Sequence, residues 1–511
     1  MNRRKIALII MDGWGMGKED QNNAIYRANT PFFDYCLQNY PHTYLEASGE
    51  AVGLPFGQMG NSEIGHTTIG AGSAIDTDLV LIKKAIEDES FFENEAFLHL
   101  IKHAKDNNSK IHLIGLLSDG GVHSHNSHIY AFLQMAHIQG LQKEQVVLHV
   151  FTDGRDVSGG TAVRYIKELE DKMSEYGVGV IGSFGGRYYG MDRAGNDERI
   201  EHVMNILFKG EGNKLDLSKT SIIDFMENEY KEKDPSGKID EYFEHHLCVH
   251  DNKNINKFTI AKNDGIFFFN FRADRAKQLT KAILDKKDEY NLYFVSMARY
   301  GEELDTDVAF TLKSIITTLG KELSKKGITH AHISESEKFP HVTFFMNGQS
   351  DIIQESETQT KIESRNDIKT HDEAPQMRAY EIVDASIEAL KTHDVLIVNF
   401  PNADMVGHTG DIEAVIKAVE TVDRETERLS KYIESIGGVC LITADHGNAE
   451  VMVDEEGKKH VAHTTNLVPF IITNKNIKIV HENGTLADIA PTILKMFEIE
   501  KVEGMKGVSM V

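Results

Sequence analysis

Seven short apolar runs, each followed by a polar loop, recur along the chain and predict buried strands. Continuous apolar runs of this length are typical of strands covered on both faces, as in parallel sheets flanked by helices. Amphipathic stretches such as residues 413–436 lie between them and predict helices. The alternation indicates an α/β fold. The seven runs are residues 5–11, 110–117, 146–151, 177–184, 265–271, 394–400 and 438–443.

Polar side chains suited to catalysis or binding follow each predicted strand. In open α/β sheets, ligands bind beyond the carboxyl ends of the strands, so these loops are the expected site. Carboxylates, imidazoles and one hydroxyl come from the two ends of the chain: Asp12, Ser62, Asp404, His408, Asp445, His446 and His463. Guanidinium groups dominate in the middle of the chain: His123, Arg155, Asp156, Arg187, Arg193, Arg272 and Arg275.

This distribution predicts two domains. If the end groups share one site, the chain must leave the first domain and later return to it. We therefore predict a discontinuous domain of residues 1–76 and 309–511, with residues 77–308 inserted as a second domain. The expected crossings lie in two short acidic segments, IDTDL (75–79) and LDTDV (304–308). A chain of 511 residues is long enough for two or three domains with sizeable cores.

The polar residues from the two ends of the chain include the ligand types of a divalent metal site. Asp404 and His408 are four residues apart, so on a helical turn both would lie on one face. Carboxylate and imidazole without thiolate favour Mn²⁺ or Zn²⁺. The group has enough ligands for two ions, which together can hold the attacking and leaving oxygens of a phosphoryl transfer. Taken singly, each histidine is more often structural, since the chain has 24 of them.

Ser62 stands in the segment GNSEIGH, residues 60–66, which follows a stretch with neither helical nor strand periodicity. Composition alone favours a surface turn, because Gly, Asn and Ser predominate in turns. The alternative is a loop that presents the Ser62 hydroxyl as a nucleophile. Coordination to a metal would lower the pKa of this hydroxyl without a neighbouring general base.

Charge and cysteine content limit the partners and the compartment. The net charge of −24 disfavours nucleic acid and anionic membranes as partners. No window approaches the ~20 apolar residues that span a bilayer, and no cleavage site follows the apolar run before Asp12. Cys36, Cys248 and Cys440 form no disulfide or zinc pattern, which suits a reducing compartment. We expect a cytoplasmic monomer in which local arginines or metal ions attract an anionic substrate.

Ten motifs in order along the chain resemble those of the cofactor-independent phosphoglycerate mutases, members of the alkaline-phosphatase-like superfamily. The motifs are MDGWG, GNSEIGH, SDGGVHSH, TDGRD, GGRYYGMDR, FNFRADRA, EKFPHVTFF, NADMVGHTG, TADHGNAE and AHTTN. They cover nearly the whole chain, so the resemblance is highly specific. Small departures, Ile64 where valine is usual and GHTTIGAGS in place of a GHLNIGAGR-like run, affect no catalytic position. Residues 207–255 match less well.

The resemblance implies a phosphatase-like domain formed by both chain ends and an inserted transferase domain. It implies interconversion of 3-phosphoglycerate and 2-phosphoglycerate in glycolysis and gluconeogenesis through a phosphorylated Ser62. Two Mn²⁺ ions per chain, or Zn²⁺ or Co²⁺ in their place, and no bisphosphoglycerate would be needed. One ion would be held by Asp12, Ser62, Asp445 and His446, and the other by Asp404, His408 and His463. The substrate would contact His123, Arg155, Asp156, Arg187, Arg193, Arg272, Arg275 and Lys338.

Three residues would act directly in the implied reaction. Ser62 would attack phosphorus, Lys338 would stabilise charge on the phosphoryl oxygens, and Asp156 would carry protons to and from the glycerate hydroxyls. Closure of the two domains would exclude water. Asp156 could instead be a structural partner of an arginine. Without the family resemblance, Lys338 would be interpreted as a solvent-exposed surface lysine.

Two other functions stay open at the level of sequence. A phosphohydrolase or a sugar-phosphate mutase would share the end domain but not the arginine motifs of the insert. A catalytically silent metal- or phosphate-binding protein would be expected to lack Ser62 or a metal ligand, and here none is missing.

Overall fold

The computed structural model describes residues 4–233, 238–250, 254–311, 315–500 and 502–511. The chain forms two compact units. The first unit consists of Met1–Thr77 together with Lys313–Val511, and the second unit is Asp78–Leu312. Within the described ranges, no helix combines the length and the apolar composition needed to cross a membrane.

One eight-stranded sheet forms the framework of each unit. In chain order the strands are β1 (Ile6–Met11), β2 (His42–Glu46), β3 (Ile111–Leu116), β4 (Val146–Thr152), β5 (Val180–Gly186), β6 (Asn213–Asp216), β7 (His246–Val249), β8 (Gly265–Phe268), β9 (Tyr293–Ser296), β10 (Asp307–Val308), β11 (His330–Glu335), β12 (Glu357–Ile362), β13 (Val395–Phe400), β14 (Val439–Thr443), β15 (Val468–Ile472) and β16 (Gly484–Thr485). The strand order is β12-β11-β13-β1-β14-β15-β2-β16 in the first unit and β10-β9-β8-β3-β4-β5-β7-β6 in the second.

Helices of very different length connect these strands. In chain order they are α1 (Ala24–Arg27), α2 (Pro31–Asn39), α3 (Ser62–Ala71), α4 (Asp78–Glu87), α5 (Glu95–Asn107), α6 (Asn126–Ile138), α7 (Ala162–Tyr176), α8 (Arg187–Gly190), α9 (Asp197–Met204), α10 (Ile222–Lys233), α11 (Lys277–Leu284), α12 (Lys287–Tyr290), α13 (Leu319–Lys325), α14 (Ala379–Leu390), α15 (Asn402–Gly407), α16 (Ile412–Ser435) and α17 (Ile489–Met496).

The core of the first unit is built around β1. All six residues of β1 are buried, and β1 runs parallel to β13 on one side and to β14 on the other. A strand buried on both faces has no solvent-facing positions, which is why its sequence, IALIIM, is apolar throughout. The long helix α16 packs its apolar residues on this core. Asp411 caps its start by accepting hydrogen bonds from the first-turn backbone amides.

The core of the second unit is built around β3 and β4, both fully buried. The four strands β8, β3, β4 and β5 are parallel neighbours. Their carboxyl ends therefore meet at one edge of the sheet. The segments that follow β4, β5 and β8 carry the arginine-rich motifs of the sequence, and the loop after β3 carries His123.

The predicted α/β class is confirmed, and each of the seven predicted runs contains a strand: β1, β3, β4, β5, β8, β13 and β14. The expectation of parallel sheets is only partly right, because both sheets are mixed. β15 is antiparallel to β14 and β2, and β7 is antiparallel to β5. Residues 444–467 join β14 to β15 without a helix, and antiparallel neighbours need no helical crossover.

The second unit runs to Leu312, and the predicted boundary at 308/309 stays a prediction. β10 pairs in parallel with β9, so the sheet of the second unit continues to Val308 itself. Residues 207–255, which match the family motifs poorly, contain β6, α10 and β7 within their described part. β6 and β7 form the edge of the second sheet.

Candidate active site

Three neighbouring strands of the first unit lead into three aspartates. Asp12 directly follows β1, Asp404 lies in α15 after β13, and Asp445 follows β14. Because β13, β1 and β14 are parallel neighbours, the three carboxylates meet at one edge of the sheet, and each is at most 1% exposed. Gly13 has φ +76°, and a Cβ there would lie 2.8 Å from the Asp404 Cα, so only glycine fits this approach.

Ser62 is the first residue of α3 and points into this cluster. The Asn61 side chain caps the helix by accepting a hydrogen bond from the Ile64 backbone amide at 2.9 Å. The Ser62 Oγ lies 2.9 Å from His446 Nε2 and 3.4 Å from Asp12 Oδ1, and the residue is 5% exposed. The surface turn favoured by composition is therefore wrong. GNSEIGH begins a buried helix.

His408 and His463 both contact the Asp404 carboxylate. The Nε2 atoms of both rings lie 3.2 Å from Asp404 Oδ1 and 3.2 Å from each other. Their Nδ1 atoms contact backbone carbonyl oxygens, that of Val461 at 2.7 Å and that of Gly60 at 2.9 Å. These carbonyl oxygens accept hydrogen bonds from Nδ1 and so direct both Nε2 atoms towards Asp404, an arrangement typical of metal-binding histidines.

Lys338 lies in the middle of the same cluster. Its Nζ is 2.9 Å from Asp12 Oδ1, 2.7 Å from Asp404 Oδ2 and 2.5 Å from Ser62 Oγ. The residue is 5% exposed. The surface-lysine interpretation is therefore wrong, because the loop after β11 turns this side chain inward.

The charges in the cluster are unbalanced. Burial and the Asp445 carboxylate raise the pKa of Asp12. Although burial opposes ionisation, Lys338 holds the pKa of Asp404 well below its usual range, and His446 does the same for Asp445. Although burial favours the neutral amine, Asp12 and Asp404 raise the pKa of Lys338. Three carboxylates thus face one ammonium group, and added cations would balance the charge.

The donor set and its spacing fit divalent metal ions. Two sets of three ligand atoms lie within 4.8 Å of one another: Asp12 with Asp445 and His446, and Asp404 with His446 and His463. Carboxylate oxygens with imidazole nitrogens suit Mn²⁺, Zn²⁺ or Co²⁺. His446 lies near both sets, and its ring stacks on that of His463 at a centroid distance of 3.9 Å.

Sequence reasoning missed two residues that hold the ligands in place. Asn399 donates from Nδ2 to Asp12 Oδ2 at 2.8 Å and contacts His66 Nε2 at 3.1 Å. The His66 Nδ1 lies 2.9 Å from the Ser62 carbonyl oxygen and 3.2 Å from Asp445 Oδ2. Asn399 was detectable, because it is a polar residue inside the apolar run of β13.

In the second unit, a buried arginine lies between two carboxylates. Arg187 opens α8 directly after β5, and the residue is 2% exposed. Its Nη1 lies 2.6 Å from Asp153 Oδ1 and 2.5 Å from Asp156 Oδ2. The Nε and Nη2 atoms are buried and have no hydrogen-bond partner among the residues that the structure describes. Unpaired buried donors are rare, so these two atoms suit an anionic ligand. Asp153, in the TDGRD motif, was not predicted.

Other guanidinium groups lie close to Arg187. Burial and the positive charges of Arg187, Arg155 and Arg193 lower the pKa of Arg275. The Arg275 Nη1 donates to the Met191 carbonyl oxygen at 3.1 Å. Like charges repel unless an anion lies between them, so this grouping is expected of an anion-binding site.

The remaining arginines of the group are half exposed. Arg155 pairs with Glu241 at 3.3 Å, and both Arg193 and Arg272 pair with Asp274, at 3.1 and 3.3 Å. Their side chains are 51–54% exposed. Asp274 was not singled out from the sequence, although it lies in the FNFRADRA motif.

His123 lies beside the same carboxylates. Its Nε2 is 3.9 Å from Asp156 Oδ2, and its Nδ1 is 3.5 Å from Asp274 Oδ1. Burial and the positive charge of Arg187 lower the pKa of His123 to about 4. His123 is therefore neutral at pH 7 and can donate or accept a single hydrogen bond at each nitrogen.

Comparisons with known proteins agree over the full length of the chain. A profile of the metalloenzyme superfamily matches residues 4–501. A 2,3-bisphosphoglycerate-independent phosphoglycerate mutase of Clostridioides difficile (strain 630) is 43% identical over 523 residues, covering 100% of both chains. One from Listeria innocua is 42% identical over 522 residues, again covering 100% of both. The crystal structure of Leishmania mexicana phosphoglycerate mutase at low cobalt concentration has a TM-score of 0.56 and 31% identity, covering 100% of this chain and 98% of that one.

Proposed function

The chain belongs to the 2,3-bisphosphoglycerate-independent phosphoglycerate mutases within the metalloenzyme superfamily, and from this premise we propose how its residues act. It is an isomerase that acts on phosphoglycerates and binds divalent metal. The observation that carries the proposal is the placement of the Ser62 hydroxyl within 2.9 Å of His446 Nε2 and 2.5 Å of Lys338 Nζ.

We propose that the first unit holds two Mn²⁺ ions. Asp12, Ser62, Asp445 and His446 would bind one ion, and Asp404, His408 and His463 the other. When bound, such ions lower the pKa of a coordinated hydroxyl and stabilise negative charge on phosphoryl oxygens. The excess of carboxylates over ammonium groups in this cluster supports the assignment.

Ser62 then acts as the nucleophile. Its Oγ, ionised before the attack, forms a bond to the substrate phosphorus as the bond between phosphorus and the glycerate oxygen breaks, and it leaves as the same oxyanion in the second step. Lys338 donates hydrogen bonds to the phosphoryl oxygens as their charge grows. The other glycerate hydroxyl then attacks the phosphoserine phosphorus, and the Ser62 oxygen leaves. The net result moves the phosphoryl group between the 2- and 3-oxygens.

In the second unit, the arginine group binds the substrate anion. The free Nε and Nη2 atoms of Arg187 form a planar fork suited to a carboxylate. Arg155, Arg193, Arg272 and Arg275 add positive charge that a chain of net charge −24 otherwise lacks. His123 donates a hydrogen bond to the substrate or orients Asp156.

Asp156 carries the protons of the two half-reactions. It donates a proton to the glycerate oxygen that leaves phosphorus and takes one from the hydroxyl that attacks next. The contact of its Oδ2 with Arg187 Nη1 at 2.5 Å holds the carboxyl group in one orientation. The second oxygen is left for the substrate.

Metal-stripped protein tests the activity directly. With 3-phosphoglycerate and no bisphosphoglycerate, we expect no 2-phosphoglycerate from the stripped protein and full activity when Mn²⁺ is restored. Zn²⁺ and Co²⁺ are added separately to rank the ions. Release of inorganic phosphate in place of 2-phosphoglycerate would instead indicate a phosphohydrolase.

The Ser62→Ala variant tests the covalent route. We expect its mutase activity to fall below detection, and acid-quenched wild-type enzyme to carry one phosphoryl group on the peptide with Ser62. Thr68→Val on the same helix is the matched control, because the Thr68 hydroxyl is buried and has no hydrogen-bond partner in the described ranges. Turnover by Ser62→Ala equal to that of the control would rule out the phosphoserine.

We also propose that the protein is a cytoplasmic monomer. Cys36, Cys248 and Cys440 are buried free thiols, which suits a reducing compartment. Sedimentation equilibrium is the measurement for the monomer, with a mass near 57.3 kDa expected.

A further inference from the structure

A second cluster of metal ligands lies in the first unit, and none of its residues belongs to the Ser62 site. His330 and His332 are two residues apart on β11, so their side chains share one face of the sheet. Glu357 on β12 is the direct neighbour of His330 across the strands. One ligand atom from each residue lies within 4.8 Å of the other two, and all three residues are buried.

The outer nitrogens of both imidazoles already have oxygen partners. The His332 Nδ1 contacts the Val342 carbonyl oxygen, which can only accept, so Nδ1 carries the proton and Nε2 has a lone pair. The His330 Nε2 lies 3.1 Å from Ser324 Oγ, which can accept its proton. Metal-binding histidines typically donate their other ring nitrogen to such acceptors.

The inner nitrogens, His330 Nδ1 and His332 Nε2, face each other at 2.8 Å. An ion about 2.1 Å from both, the usual distance from zinc to nitrogen, would see them at about a right angle, and a tetrahedral angle would require the two nitrogens to move apart to about 3.4 Å. Without an ion, the distance of 2.8 Å is a hydrogen bond from one ring to the other. The remaining groups of the cluster distinguish these two arrangements.

Asn347 supplies a fourth possible metal ligand, its side-chain oxygen Oδ1. Its Nδ2 donates to the two carboxylate oxygens of Glu357 at 2.9 and 3.1 Å. Its Oδ1 is buried and forms no hydrogen bond within the described part of the chain, and the residue is 5% exposed. A Cβ on Gly320 would lie 3.1 Å from this oxygen, 3.1 Å from His330 Cε1 and 3.8 Å from Glu357 Oε2. The unpaired oxygen therefore borders the same space as His330 and Glu357.

The hydrogen-bond partners of the Glu357 carboxylate are neutral groups. Its oxygens accept hydrogen bonds from neutral groups: the Asn347 amide, the Gln354 backbone amide at 3.2 Å and Gln359 Nε2 at 2.6 Å. Among the residues that the structure describes, no lysine or arginine forms an ion pair with it. A buried carboxylate is costly without a compensating cation, and a divalent ion would supply that charge.

We propose that His330, His332, Glu357 and Asn347 form a closed Zn²⁺ site separate from the Ser62 cluster. Two imidazoles, one carboxylate and one amide oxygen make four donors, the number found in structural zinc sites. The ion would tie β11 to β12 and, through His332, to the carbonyl of Val342. Val342 lies four residues after Lys338, so the site stabilises the segment that carries the proposed catalytic lysine. It takes no part in the reaction.

Anomalous diffraction from wild-type crystals grown with Zn²⁺ tests the site. Data collected on both sides of the zinc absorption edge locate each bound zinc. We expect a peak about 2.0–2.2 Å from His330 Nδ1 and His332 Nε2. Density that shows the two nitrogens hydrogen-bonded at 2.8 Å with no anomalous peak between them would overturn the proposal, whatever the Ser62 cluster holds.

Zinc content in solution provides the second test. Wild type, His332→Gln and Glu357→Gln are dialysed against the same low Zn²⁺ concentration and their bound zinc is measured by mass spectrometry. We expect each variant to hold one ion per chain fewer than wild type. His42→Gln is the control, because His42 is an exposed residue on β2.

The use of two variants distinguishes loss of the bound ion from loss of folding. Glu357→Gln keeps the size of the side chain and its carbonyl acceptor, so circular dichroism is expected to match wild type. Zinc content equal to that of the control in folded Glu357→Gln would overturn the proposal. The wild-type crystals decide the matter if both variants fail to fold.

Discussion

Two buried cations, Lys338 and Arg187, are each held between two carboxylates. Lys338 contacts Asp12 and Asp404, and Arg187 contacts Asp153 and Asp156. Removing one member of such a group leaves uncompensated charge in a medium that solvates it poorly. The consequence of a substitution therefore depends on what else can neutralise the carboxylates.

Lys338→Met is expected to destabilise the metal-free protein more than the Mn²⁺-loaded protein. Without metal, the loss leaves Asp12 and Asp404 unpaired, at a cost of about 3–5 kcal/mol in the free energy of unfolding. With Mn²⁺, the ions neutralise the same carboxylates. Urea unfolding in EDTA and in Mn²⁺ measures the difference. An equal loss under both conditions would contradict the proposed metal cluster.

The control for this measurement is Lys361→Met. Lys361 pairs with Glu363 on the surface, where both side chains are about half exposed or more. Exposed ion pairs contribute little, so its effect is expected to stay within about 0.5 kcal/mol.

His123 is expected to stay neutral from pH 8 down to about pH 5. Burial and Arg187 lower its pKa to about 4 in the folded protein, against about 6.5 in an unfolded chain. The folded state thus binds fewer protons between these values. The contribution of His123 to stability is full above pH 6.5 and is lost as the pH falls towards 4. NMR titration of histidine-labelled protein, assigned with His123→Asn, measures this, and a midpoint near 6.5 would contradict it.

At the scale of secondary structure, α3 joins the nucleophile to the metal ligands through close packing. A Cβ on Gly65 would lie 2.7 Å from the Asp445 carbonyl oxygen, and one on Gly70 would lie 1.9 Å from the Met346 carbonyl oxygen. Both distances are too short for a side chain. The glycines let α3 contact the loop after β14 on one side and the segment after Lys338 on the other.

Gly65→Ala is expected to weaken Mn²⁺ binding at least about tenfold, because α3 must move away from Asp445. Isothermal titration with Mn²⁺ measures the affinity. Glu63→Ala is the matched control, since Glu63 is an exposed residue of the same helix. Equal affinities for the two variants would show that the approach of α3 to Asp445 does not position the ligands.

At the scale of the whole molecule, the two units carry opposite local charge. Carboxylates and imidazoles gather at the sheet edge of the first unit, and guanidinium groups gather at the sheet edge of the second. A chain of net charge −24 thereby has a local attraction for anions in one unit and for cations in the other.

Chelation of the metal is expected to loosen the first unit and leave the second unchanged. Without the ions, three buried carboxylates have only the Lys338 ammonium group to balance their charge. This destabilises the ends of β1, β13 and β14, where the carboxylates lie. Hydrogen–deuterium exchange with and without EDTA measures this by peptide. We expect faster exchange in α3 and in the loops after β1 and β14. The exchange rates of β3, β4 and β5 are expected to stay the same. Equal acceleration in both units would contradict a metal cluster confined to the first.

The sequence by itself determined the α/β class and the seven strands that lead to the site. Apolar periodicity is a local property, and strands such as β1 are apolar because both of their faces are buried. The ordered motifs also identified the family, since most of them place a specific side chain in the loop after a strand.

Only the tertiary structure decided which polar residues meet and with what charge. Lys338 resembles a surface lysine in ESEKFP, yet Asp12 and Asp404 hold it in the core. Asn399 and Asp153 acquire their roles from neighbours 387 and 34 residues away in the chain. The mixed sheets likewise depend on how distant segments pair. Such contacts join residues far apart in sequence, and local patterns carry no information about them.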